Sequence, residues 1–149
     1  MLEQIKNRIR NHSYMSQIER DGQRIQSTAE YFTPTELVQK MLDSLPEELF
    51  SDSTKTFIDP ACGDGQFLGE VLIKKLENGI ALPVALSTLY GVDIMRDNVD
   101  LCKNRLGGGN IIMGNTLCPE EEFEEQTKEE KQLMKKWFTS NLTKHYNMV

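Results

Sequence analysis

No apolar run in these 149 residues approaches the roughly 20 needed to cross a bilayer as a helix, so the sequence offers no transmembrane segment. The opening residues, MLEQIKNRIRNHSY, also lack the apolar core of a secretory signal, and a cytoplasmic protein is expected. Cysteine is scarce. Cys62, Cys102 and Cys118 are odd in number and show no Cys-x-x-Cys spacing, which argues against a disulfide framework and against a metal site and predicts reduced thiols. Basic charge is in deficit: the net charge is −6, whereas a stand-alone nucleic-acid binder relies on Lys and Arg to displace counterions from phosphates. Ten glycines and five prolines, with 38% hydrophobic and 27% charged residues, leave no room for a fibrous or largely disordered chain. One hydrophobic core of ordinary size is expected.

What is present is unevenly arranged. Lys6, Arg8, Arg10, Arg20 and Arg24 outnumber Glu3, Glu19 and Asp21 near the N-terminus, while PEEEFEEQTKEE is strongly acidic, so a phosphate contact would favour the N-terminal end. Ile5, Ile9, Ile18 and Ile25 recur at loose helical spacing and predict one or two amphipathic helices. In TPTELVQKMLDSL, Thr33 reads as an N-cap, Pro34 as a first-turn proline, and Leu37, Val38, Met41, Leu42 and Leu45 as one apolar face.

The middle of the chain alternates. KTFID reads as a strand, GQFLGEVLIKKLENG as a helix with Phe67, Leu68, Val71, Leu72 and Leu76 inward and Gly79 as its stop, and TLYGVDI as a second strand. RDNVDLCKNRLGGG is a second helix closed by three glycines, and NIIMGNTL a third strand running into a loop. Strands joined through helices of this length cannot form hairpins, so the order β-α-β-α-β predicts an α/β fold, half of a doubly wound parallel sheet. Beyond it, Leu133, Met134, Trp137 and Phe138 suit an amphipathic helix that docks on the domain or on a partner. The expected organisation is an N-terminal helical segment over 1–27, the α/β unit over 28–118, and an acidic segment with a helix over 119–149.

In open α/β sheets ligands bind beyond the carboxyl ends of the strands. The loop in FIDPACGDGQ is therefore the first candidate site: Gly63 and Gly65 admit a close ligand, and Asp59 ends the strand as an anionic acceptor suited to an ammonium group. It is not a dinucleotide loop, because GDGQFLG places Gly69 one position late for G-x-G-x-x-G. Asp93 ends the second strand roughly 30 residues later, where a carboxylate can accept from both hydroxyls of a ribose, and Ile94 follows as an apolar shelf for an adenine face. A tight turn packed by glycines, and a helix cap at Asp93, are the competing readings of each signal alone.

Taken together, YFTP, DPACGDGQFL, YGVDI with DNV following, and GNTL resemble S-adenosylmethionine-dependent methyltransferases, specifically the N6-adenine DNA methyltransferases of restriction-modification type, over about Thr28 to Leu117. The resemblance implies a partial Rossmann-like methyltransferase fold with S-adenosyl-L-methionine as cofactor. It further implies that Phe32, Thr33 and Pro34 close over the methionine part, that Asp59, Ala61, Gly63 and Gly65 hold the amino-acid end and sulfonium, and that Asp93 binds the ribose. Ile94 would pack on adenine, with Asn115 and Thr116 at its edge. Asn115 stands where the family often has aspartate, and its side-chain oxygen can still accept from the adenine amino group. Cys62 has no base partner in view and is left off any catalytic list, which here holds no residue.

The resemblance also implies a second motif, Asn or Asp followed by Pro-Pro and an aromatic, that grips the target amino group of a flipped-out base. The prolines at 34, 46, 60, 83 and 119 include no adjacent pair, so the motif is missing from these residues. Three readings follow: the cofactor-binding part of an adenine-N6 methyltransferase completed by a partner chain, a catalytically inactive S-adenosylmethionine binder such as a sensor, sequestering protein or regulatory subunit, and a pure protein-interaction module. DNA is expected to be met only indirectly or through a partner. The edge of the first strand should be bare unless the C-terminal helix, a second copy in a homodimer or a partner subunit covers it.

Overall fold

The computed structural model describes residues 1–11, 33–138 and 147–148. Within them run helices α1 (Leu2–Ile9), α2 (Thr35–Asp43) and α3 (Glu48–Ser51), strand β1 (Phe57–Asp59), helices α4 (Gln66–Glu77) and α5 (Leu82–Ser87), and strand β2 (Leu89–Asp93). Helix α6 (Arg96–Leu106), strand β3 (Asn110–Met113), helix α7 (Lys128–Trp137) and the two-residue strand β4 (Asn147–Met148) complete the order. All pairings are parallel in the order β3-β2-β1-β4, with Asp59 opposite Gly91 and Asp93 opposite Met113. This is the α/β architecture the alternation predicts, a parallel sheet flanked by helices.

Strand alternation divides the core between two faces. Phe57, Leu89, Ile111 and Met113 point into the larger cluster, which Ile5 and Ile9 of α1, Val38 and Leu42 of α2, and Leu68, Val71 and Leu72 of α4 fill. Ile58, Val92 and Ile112 point the other way, onto Met134 and Trp137 of α7. Helix α7 thus packs directly on the sheet, whereas α1 packs on α4 and α6. Helix α7 begins earlier than its apolar residues suggest, because Thr127 and Glu130 form a capping box ahead of them.

The structure corrects two details. Helix α2 starts at Thr35 with extended Pro34 as its N-cap and no side-chain cap, so Thr33 lies outside the helix, its carbonyl taken by the Gln66 side chain. Of the apolar face predicted on α2, Val38 and Leu42 are buried but Leu37 and Met41 are about half exposed, because only the first stripe meets α4. Helix α5, crossed by Pro83 near its start, and the short α3 are additions the periodicity did not predict. The predicted helical positions Ile18 and Ile25 lie outside the described residues.

Candidate functional site at the strand ends

The carboxyl ends of β1, β2 and β3 converge on a cleft of about 190 Å³, lined among others by Pro60, Ala61, Asp93, Ile94, Asn115 and Thr116. The loop leaving β1 is tied to β2. Cys62 N–H donates to the Val92 carbonyl at 2.9 Å, Gly63 N–H donates to Asp93 Oδ1 at 3.1 Å, and Gly65 N–H closes the turn onto the Cys62 carbonyl at 2.9 Å. Gly63 and Gly65 hold φ of +55° and +98°, the left-handed region that glycine enters freely. At Gly65 space adds to the demand, since a Cβ would lie 3.0 Å from Cys102 Sγ on α6.

Asp59, which like Gly63 and Gly65 is not among the residues lining that cleft, is the electrostatic anomaly of the strand ends. It is 4% exposed, and its Oδ1 accepts from Ala61 N–H at 3.1 Å. Burial pushes its carboxyl up to about 7; the Ala61 hydrogen bond opposes the rise and the negative charge of Asp93 adds to it. Among the described residues no Lys or Arg forms an ion pair with it. Asp93 is differently placed: besides Gly63, its Oδ2 accepts from Met95 N–H and from Asn98 Nδ2, both at 3.0 Å. One carboxylate therefore fixes both the glycine loop and the start of α6.

The other predicted residues gather unevenly around this centre. Ile94 projects beside Asp93 with 45% of its surface exposed, an apolar wall of the cleft. Thr116 Oγ1 donates to the Pro60 carbonyl at 2.7 Å, locking the loop after β3 against the loop after β1. Asn115 turns its oxygen to Leu117 N–H at 3.0 Å and donates from Nδ2 to Glu121 at 2.7 Å. Thr33 reaches the site through Gln66, the residue after Gly65; Pro34 follows it, and Phe32 lies outside the described residues. Cys62 is buried, and its hydrogen bond with Cys102, together with burial, holds its thiol well above the usual range, so it is no thiolate nucleophile.

Sequence reading overlooked Asn98, Gln66 and Arg105. Asn98 had a signal, standing five residues after Asp93 in the first turn of the helix it helps to start. A larger recess, about 700 Å³, opens along the outer edge of β3 beside Arg96, Lys103 and Trp137. It contains none of the predicted residues and mixes both signs of charge. A sequence profile described as N-6 DNA Methylase matches residues 17–138, and the chain belongs to that family. No curated protein matches the chain.

Proposed function

We propose, from membership of the N-6 DNA methylase family, that this chain forms the S-adenosylmethionine-binding part of an adenine-N6 DNA methyltransferase of restriction-modification type. The observation that carries the reading is Asp59, a buried carboxylate beside a glycine loop with no Lys or Arg paired to it among the described residues, which suits the ammonium group of an amino-acid ligand. Ile94 offers the apolar wall for adenine, and the carboxylate of Asp93, which lines the cleft, would accept from ribose hydroxyls while it holds Gly63 in place. Bound there, the cofactor would supply an electrophilic methyl group on its sulfonium. Asn115 and Thr116 would border the adenine, and Thr33 with Pro34 the methionine part.

Adenine N6 is a poor nucleophile until acceptors draw on its protons, and these residues contain no Pro-Pro motif to provide them. Methyl transfer would then need that motif from outside these residues. Calorimetric titration with S-adenosylmethionine tests the cofactor reading. Saturable binding to the wild type, weakened about tenfold or more by Asp59→Asn, which preserves shape but removes the charge, is expected. A folded wild type with no saturable heat would sink the proposal and leave the interaction module.

A further inference from the structure

Arg105, in the last turn of α6, is 1% exposed and points into the protein. Its Nε donates to the Ile9 carbonyl at the end of α1, Nη1 to Asp64 Oδ1 at 3.2 Å, and Nη2 to Gln66 Oε1. Gln66 passes the chain onward, its Nε2 donating to the Thr33 carbonyl. One helical turn later on α4, Glu70 repeats the pattern. It is 3% exposed, accepts two hydrogen bonds from Arg10 at 3.0 and 2.8 Å, and a third from Gln39 at 3.0 Å. Positions 66 and 70 share one helix face, so both clamps sit at the N-terminal end of α4, immediately after Gly65.

Charge placement gives the first clamp its consequence. Asp64 lies between the two loop glycines, 3% exposed, and could compete with Asp59 for a cationic ligand if it were left unneutralised. Arg105 neutralises it. Asp64 is thereby removed from the uncompensated negative charge near the strand ends, while Gln66, oriented by the same guanidinium, fixes where Thr33 meets the loop.

We propose that Gln66, held by Arg105, is a positioning residue for the cofactor site, setting the glycine loop and the Thr33 backbone in one preorganised arrangement. This rests on the cofactor reading above. Gln66→Glu keeps the acceptor for Arg105 and removes only the donor to Thr33, whereas Gln66→Met removes both. Preorganisation acts on affinity, so S-adenosylmethionine should bind each variant about tenfold more weakly. Gln66→Glu should melt close to the wild type, and Gln66→Met lower, since it leaves a buried guanidinium donor unpaired. The carboxylate of Gln66→Glu would by charge alone favour a cationic ligand, so weaker binding isolates the lost donor. Amide exchange at Thr33 and Thr35 should quicken in both variants. A wild type that binds, with both variants within about twofold of it, overturns the positioning role and leaves the cofactor reading standing. A wild type that does not bind overturns both, and is recognised by its own titration.

Discussion

At the scale of single residues, the cleft is defined by how differently two neighbouring aspartates are treated. Asp93 is committed to backbone and amide donors on two elements, whereas Asp59 is buried and accepts from Ala61 N–H as its one hydrogen-bond donor among the described residues, and this difference gives a signature in pH. With its carboxyl raised to about 7, Asp59 ionises in the folded protein only as pH rises through that value. The unfolded chain loses the same proton near the ordinary aspartate value, so the folded form holds more protons between the two. Stability from this group is then full below the unfolded value and falls as pH rises toward 7. Asp59→Asn should raise the melting midpoint at pH 8 by about 4 °C or more, with a smaller gain at pH 5. Ligand affinity runs the opposite way, because an ammonium group prefers the ionised form: S-adenosylmethionine should bind more weakly as pH falls through 7, with proton release seen as a buffer-dependent heat. Asp59→Asn should abolish that dependence, and a pH-independent wild type would contradict the assignment.

At the scale of elements, what was legible in the sequence is what local pattern determines. The runs ending at Asp59, Asp93 and Met113 are apolar, short and followed by glycine or a helix start, so β1, β2, β3 and the intervening α4 and α6 follow directly. Strand ends and glycine turns point to a cleft before any contact is known, and Ala61, Asp93, Ile94, Asn115 and Thr116 do line it, whereas Asp59, Gly63 and Gly65 lie outside its lining. Contacts that depend on tertiary approach were not legible. Nothing local marks Arg105 as the group that neutralises Asp64, or distinguishes Leu37 from Val38 on α2, since each outcome depends on what α4 and α6 bring alongside. Helix α7 shows both sides. Its amphipathic pattern predicts docking, but only the structure shows that Trp137 meets Tyr90 edge-on with ring centroids 5.1 Å apart, over Ile58, Val92 and Ile112. Trp137→Ala should therefore cost about 3–5 kcal/mol in urea unfolding. Gly114→Ala should cost about 1–3 kcal/mol, because a Cβ at Gly114 would overlap the buried Met134 side chain, which would have to repack between α7 and the sheet. Losses below about 1 kcal/mol would mean that α7 is not part of the cooperative fold.

At the scale of the whole molecule, the sheet has two edges, and they are protected differently. On the β3 side, Met113 N–H donates to Glu130 at 2.9 Å and the Met113 carbonyl accepts from Gln126 Nε2 at 2.8 Å, so side chains of the acidic segment occupy backbone groups that another strand could seek. On the β1 side, Asn147 and Met148 pair with Phe57 and Ile58. Two paired residues are a slight cover for a strand buried on both faces, and this edge is where we propose that a second copy or a partner subunit adds to the sheet. Removing residues 139–149 takes that cover away. If the β1 edge is the association surface, the shortened protein should self-associate more strongly than the full 149 residues, with sedimentation giving a mass that rises with concentration. Lysine substitution at Ile58, whose side chain faces α7, would disturb the core as well, so the cleaner control acts on the backbone: the Ile58 amide proton should exchange faster in the shortened monomer and regain protection as it assembles, while Phe57 N–H, bonded to the Thr88 carbonyl, stays protected throughout. A shortened protein that stays monomeric at every concentration, with the Ile58 amide still protected, would show that the edge is closed from within and that any partner binds elsewhere.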